Sequence, residues 1–226
     1  MSDQLLSLSN VTLSLSSRAG LVQILRGVSF SAGSGEAIGI VGPSGSGKTS
    51  LLMVIAGLEA VTSGEIYVDG KPLHGQSEDV LSTLRRNTVG IVFQSFHLIP
   101  TLTAFENVLL PLEFKGHANA TNTARESLIN VGLAHRLDHY PGQMSGGEQQ
   151  RVAIARAIAS GAKLILADEP TGNLDQETGT TIMDLLFGLR EKLGTALLLV
   201  THDRNLAKRC DRMIEVRDGK LAEALA

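Results

Sequence analysis

The chain of 226 residues has one cysteine, no tryptophan, two tyrosines and six phenylalanines. Cys210 has no second thiol to pair with, which excludes an internal disulfide and fits a reducing compartment. An excess of one charge is also missing, since 20 Lys and Arg face 23 Asp and Glu for a formal net charge of −3. With few rings to stack on bases and no basic stripe, this composition argues against a nucleic-acid surface. No apolar run has the length of a membrane span, and "TALLLV" suffices only for a strand. The opening "MSDQLLSLSN" lacks a basic segment followed by an apolar one, so no secretory leader is expected. These absences predict a soluble protein on the cytoplasmic side of the cell membrane, with any membrane role reached through a partner.

What is present is ample apolar material, 43% of residues, enough for one large domain or one domain with an insert. The first thirty residues alternate apolar and polar, as strands with one exposed face do. "EAIGIVG", "GEIYVDG" and "VGIVFQ" read as further strands, while "KLILAD" and "TALLLVT" are near-continuous apolar runs suited to strands covered on both faces. A helix predicted over about 176–193 joins the last two into a βαβ unit, and "RMIEVRDGKLAEA" closes as a hairpin around Asp218 and Gly219. The expected fold is α/β: a mostly parallel sheet with an antiparallel N-terminal part, built from residues 1–94 and 161–226. Residues 95–160, where the pattern turns helical, form a candidate inserted subdomain.

"GPSGSGKT" follows a buried strand and opens a helix. Gly42, Pro43, Ser44, Gly45, Ser46 and Gly47 let successive backbone N–H groups converge on an anion, and the helix start adds positive potential. Lys48 then neutralises β- and γ-phosphates, Thr49 offers a hydroxyl to Mg²⁺, and Ser50 lies within reach of the same phosphates. The alternative, a plain glycine-rich turn, does not require the strand–loop–helix setting. "LILADEP" carries Asp168 and Glu169 to the end of a buried strand, where open α/β sheets bind ligands. Asp168 suits Mg²⁺ through water, and Glu169 suits the orientation or deprotonation of an attacking water. Pro170 is expected to hold Glu169 extended. Alone, this pair is an ordinary acidic strand end; beside a phosphate loop it reads as catalytic. Gln94 and His202 each close a predicted strand. Gln94 is a candidate Mg²⁺ or water contact and His202 a candidate γ-phosphate contact, although either is unremarkable in isolation, and Asp203 reads simply as a helix cap.

"MSGGEQQRVAIARA" presents a second glycine-led helix start, without a lysine. Ser145 and Glu148 make a capping box, and Val152, Ala155 and Ala159 an apolar stripe. Capping does not account for Gly146 and Gly147, since glycine in a first turn costs stability. Backbone left bare there suits close approach of an anion.

"SGGEQQR" resembles the signature motif of ABC ATPases, and the order "GPSGSGKT", "VFQ", "SGGEQQR", "LILADEP", "GNLD", "VTHD" is similar to that of the nucleotide-binding subunits of ABC transporters over essentially the whole chain. The resemblance implies a P-loop core with a helical signature subdomain, binding ATP and Mg²⁺ and hydrolysing ATP. It further implies a homodimer on ATP in which Ser145, Gly146, Gly147 and Glu148 close over the γ-phosphate held by Lys48 of the other copy, with Asp175 at the seam. "VFQSFHLIPTLTAFENVLLPL" and "DEPTGNLD" look like the subgroup serving lipoprotein release and macrolide export, whose partner is an integral-membrane permease with few helices and a large extracytoplasmic domain. Some of Phe96, Leu98, Ile99, Leu102, Phe105, Leu109, Leu110 and Phe114 are expected to line a groove for that partner. Leu15 stands where the family places an aromatic against adenine, which predicts weaker nucleotide binding and partial tolerance of GTP. Relatives acting on nucleic acid carry zinc modules, coiled-coil insertions or a second cassette, which this chain lacks. A P-loop kinase would have no use for "SGGEQ".

Overall fold

Two sheets of unlike character organise the protein in the computed structural model, which describes residues 4–17 and 20–223. Residues 1–3, the start of the stretch read as lacking a leader, lie outside the described residues. So do residues 18–19, in the segment aligned to locate Leu15, and 224–226. The chain runs β1 (Gln4–Ser17), β2 (Gly20–Gly33), β3 (Ala37–Val41), α1 (Lys48–Ile55), β4 (Ser63–Val68), β5 (Lys71–Pro72), α2 (Glu78–Thr88) and β6 (Val89–Phe93). It continues α3 (Ala104–Phe114), α4 (Ala120–Asn130), α5 (Gly146–Ala159), β7 (Leu164–Asp168), α6 (Gln176–Leu193), β8 (Ala196–Val200), α7 (Arg204–Ala207), β9 (Arg212–Arg217) and β10 (Lys220–Glu223).

The antiparallel sheet has the order β2-β1-β4-β5. Its strands bury Leu6, Leu8, Val11 and Leu13 in one core, the alternation being reset by a register shift between Leu8 and Val11 where Asn10 takes φ 48°. The second sheet, β10-β9-β3-β8-β7-β6, is parallel except for β10. Its central strands are buried on both faces, and successive residues serve two different cores. Ile38, Ile40, Leu164, Leu166, Leu198 and Val200 join α1 and the antiparallel sheet in one apolar cluster. Ala37, Ile165, Ala167, Leu197 and Leu199 join α3, α4, α5 and α6 in the other. The unbroken apolar runs of β7 and β8 are therefore those of strands with covers on both sides.

Helix α2 has no counterpart in the sequence reading. It buries Leu84 and Thr88 with Leu81 packed against the core, and its charges follow the helix dipole, with Glu78 and Asp79 first and Arg85 and Arg86 last. Among the described residues no helix is long and apolar enough to cross a membrane.

Candidate active site

Strand register brings the motif residues to one edge. Phe93 pairs with Asp168, Asp168 with Val200, and Val200 with Ile40. The residues that follow each strand, Gln94, Glu169, Thr201–His202 and Gly42, therefore emerge side by side at the carboxyl edge of the parallel sheet. Short connections between widely separated segments converge there because all four strands point the same way.

The loop leaving β3 is shaped by its glycines. A Cβ at Gly42 would stand 2.1 Å from the carbonyl oxygen of Val216, so only glycine lets the loop pass β9. Gly45, at φ 78°, faces open space, leaving its backbone accessible to a ligand. Gly47 opens α1 at φ 104° without a side-chain cap, and no acidic residue occupies the first turn. The N–H groups of that turn and the positive end of the helix are thus left for an anion. Ser46 Oγ is buried and has no hydrogen-bond partner among the described residues, so it too can donate to an anion. The ammonium of Lys48, 7% exposed, donates to the carbonyl oxygens of Gly42 and Pro43, each at 2.9 Å. It is folded over its own loop, where a phosphate can recruit it.

Thr49 Oγ1, in the first turn of α1, donates to Asp168 Oδ1 at 3.2 Å. Burial pushes the Asp168 carboxyl above its ordinary pKa, with Glu169 adding like-charge repulsion. A hydroxyl and a partly desolvated carboxylate at hydrogen-bonding distance are hard oxygen donors that fit Mg²⁺. Among the described residues no cluster of three His, Cys, Asp or Glu stands ready for a metal.

Glu169 departs from the expected extended conformation and sits in the left-handed region at φ 44°. Two backbone bonds hold it: its N–H donates to Val200 at 3.0 Å, continuing the β7–β8 ladder, and its carbonyl accepts from Gly172 at 2.9 Å across the turn containing Pro170. Proline disfavours the right-handed region for its predecessor, but the ladder and the turn, not proline, decide between the conformers that remain. Its carboxylate accepts from His202 Nδ1 at 3.2 Å. Gln94 Nε2 donates to Asn173 Oδ1 at 3.2 Å and Asn173 Nδ2 returns a bond to the Gln94 carbonyl at 3.0 Å. Asn173, within "GNLD", went unread in the sequence, since nothing local marks an asparagine as the mate of a residue 79 positions away.

The second helix start differs chemically from the first. Ser145 Oγ accepts from the Glu148 N–H at 3.3 Å and Glu148 Oε2 accepts from the Ser145 N–H at 2.8 Å, closing the capping box. Arg136 Nε donates to the same carboxylate at 2.7 Å. The Ser145 backbone bond, with help from Arg136, lowers the Glu148 pKa to about 2. The paired glycines also have a reason within the chain. A Cβ at Gly147 would lie 2.5 Å from Thr178 Cγ2 and one at Gly146 3.1 Å from Leu174 Cδ2, so the start of α5 abuts the start of α6 only as glycine. Asp175 caps α6, accepting from the Thr178 N–H at 2.9 Å. Asp203 caps α7, accepting from the Asn205 N–H at 2.7 Å.

Leu15 lies near the end of the β1–β2 hairpin, opposite Val22 and 39% exposed. The same hairpin reaches the phosphate loop, because a Cβ at Gly47 would meet the Ile24 carbonyl at 3.1 Å and Leu25 Cδ2 at 3.2 Å.

Known proteins share this arrangement. A family model described as ABC transporter matches residues 25–172, which span the phosphate loop, Gln94, α5 and Glu169. The ABC transporter ATP-binding protein YbbA of Escherichia coli strain K12 is 52% identical over 204 residues, covering 89% of this chain and 90% of its own. The Shigella flexneri protein of the same name matches to the same degree. Among solved structures, the dimeric post-hydrolysis state of the ATP-binding cassette MJ0796 bound to ADP and Pi superposes with a TM-score of 0.90. Identity there is 42%, over 96% of this chain and 97% of that one. A second dimeric structure of MJ0796, a bacterial ABC transporter cassette, gives 0.89 at the same identity and coverage. From its phosphate loop to the carboxylates of β7, the chain belongs to the ABC transporter family.

Proposed function

We propose that the chain is the ATP-hydrolysing subunit of a membrane transporter, working as a dimer whose two copies share each nucleotide. The observation that carries this reading is the single sheet edge at which an uncapped helix start, Lys48, the Thr49–Asp168 pair and the Glu169–His202 pair converge. In the reaction, water attacks the γ-phosphorus in line and ADP leaves. Lys48 releases its loop carbonyls to neutralise the transferring phosphoryl group, while N–H groups of the loop and first turn of α1 hold its oxygens. Glu169 orients the water and accepts its proton, itself oriented by His202. Mg²⁺ held by Thr49 and Asp168 supplies charge neutralisation when bound, with Gln94 as a third ligand or water contact. Ser145 and Gly147 of the second copy cover the γ-phosphate from the far side. That both structural relatives are dimers supports the shared site.

The partner is a permease of the few-helix type with a large extracytoplasmic domain, and the work is export, lipoprotein release or transmission of force. We place its cytoplasmic segment in a groove of about 370 Å³ lined by Phe93, His97, Pro111, Arg86 and Arg156. Of the residues expected at such a groove, Ile99 and Phe114 are exposed, while Leu98, Phe105 and Leu109 pack against the core.

Glu169→Gln tests the reading. The variant binds ATP as the native protein does, loses turnover and accumulates as a dimer with Mg-ATP, seen by sedimentation. Turnover near the native rate removes Glu169 from its role, and a variant that stays monomeric with Mg-ATP, even beside its permease, removes the shared site.

A further inference from the structure

Between β6 and α3 the chain runs without regular structure, and it does so under strain. Phe96 (φ 58°) and His97 (φ 48°) are consecutive non-glycine residues in the left-handed region. One such residue is uncommon, and two in succession persist only where the surroundings over-determine them.

The surroundings are specific. From the last turn of α5, Arg156 Nη1 donates to the His97 carbonyl at 2.6 Å and Nη2 to the Phe96 carbonyl at 2.9 Å. One planar fork thus holds both carbonyls of the strained pair. The His97 ring lies against Phe93 with centroids 4.6 Å apart. Downstream, the buried Asn107 accepts from the Ile99 N–H and donates to the carbonyls of Ile99, Leu102 and Thr103, pinning the remainder of the segment to α3. Upstream, Gln94 exchanges two bonds with Asn173, and the Phe96 N–H donates to the Phe93 carbonyl at 3.3 Å across it.

Arg156 is half-buried, lacks a carboxylate partner among the described residues, and has its pKa pushed down by desolvation. Its neighbours on α5, Ala153, Ile154, Ala155, Ala157 and Ile158, are buried and apolar. A guanidinium there costs free energy unless its donors are used. They are spent on two carbonyls two and three residues after Gln94.

We propose that Arg156 is a positioning residue for Gln94, acting by clamping the Phe96–His97 backbone in its left-handed conformation and so tying the glutamine to α5. The clamp is a statement about the backbone, while its consequence for turnover rests on the ATPase reading above.

Arg156→Lys is the perturbation, because an ammonium cannot present a planar fork to both carbonyls. Amide hydrogen exchange over residues 96–99 in the nucleotide-free chain is expected to quicken about tenfold, with β7 and β8 unchanged. ATP turnover falls about tenfold while ATP affinity stays within about twofold, as for a group that acts only through the loop. Adding His97→Asn, which tolerates the left-handed region, restores turnover several-fold and slows exchange again. Unchanged exchange over 96–99 overturns the clamp. Loss of affinity in step with turnover, or no recovery with His97→Asn, makes Arg156 a general brace and overturns its positioning role. A native chain that does not hydrolyse ATP overturns the ATPase reading instead, and the exchange measurement still decides the clamp.

Discussion

Glu169 carries both the proposed catalytic carboxylate and a left-handed backbone, so the two can be separated by substitution. At φ 44° an L-residue gives up about 1–2 kcal/mol relative to its preferred conformations. Glycine recovers that cost but adds unfolded-state freedom of about 0.4–1 kcal/mol. The difference leaves Glu169→Gly about 1 kcal/mol more stable than Glu169→Ala. Both variants lose the His202 contact and the repulsion with Asp168, so these contributions cancel in the comparison. In a chain of this size the gap is a melting-temperature difference of about 2–4 °C. Calorimetry or urea titration reads it, without nucleotide or magnesium, since either ligand would move the midpoints by mass action. A glycine variant melting at or below the alanine variant refutes the argument, because the left-handed backbone would then carry no cost. The expected order places strain at the residue whose carboxylate is proposed to orient water.

Three further outcomes are expected. Gly147→Ala destabilises the fold by about 1–3 kcal/mol through the clash with Thr178. Thr178→Ser, which removes the offending methyl, recovers most of that loss in urea titration, so a double variant that folds but fails to dimerise with ATP isolates the intermolecular role of this helix start. Glu148, with its pKa lowered to about 2 from its ordinary 4.5, adds stability that is full above the higher value and lost as pH falls towards the lower; acid unfolding should be shallower over that window in Glu148→Gln, and identical slopes refute the assignment. Leu15→Tyr should tighten ATP about fivefold or more, since base stacking is worth about 1–3 kcal/mol, and should sharpen discrimination against GTP; an unchanged affinity in a competition titration places the base elsewhere.

What was legible in the sequence follows from the range of the interaction that writes it. The apolar runs of β7 and β8, the alternation of β1 and β2, and the span of α6 are local patterns, and each became the element it implied. The phosphate loop and the capping box are local too, because glycine conformation and helix capping act within a few residues. Helix α2 carries local signals of its own, with charges marking both ends and Leu81, Leu84 and Thr88 at helical spacing, and it went unread all the same. Glu169 was misread because a neighbour rule about proline met a ladder bond from β8, which the chain reaches only 31 residues later. Gly147 shows the same limit from the opposite side. Its absent side chain reads as room for an anion, and the fold adds a second reason, since Thr178 from another helix stands where a Cβ would go. Arg156 and Asn173 drew no reading, because their partners Phe96 and Gln94 reach them only in the fold. Residues proposed to supply reacting groups are therefore legible from their own neighbourhoods, whereas those proposed to aim them acquire meaning only through a partner distant in sequence. For this reason the substitutions that best probe the site, at 147, 156 and 178, fall outside the pair of carboxylates that first drew attention to it.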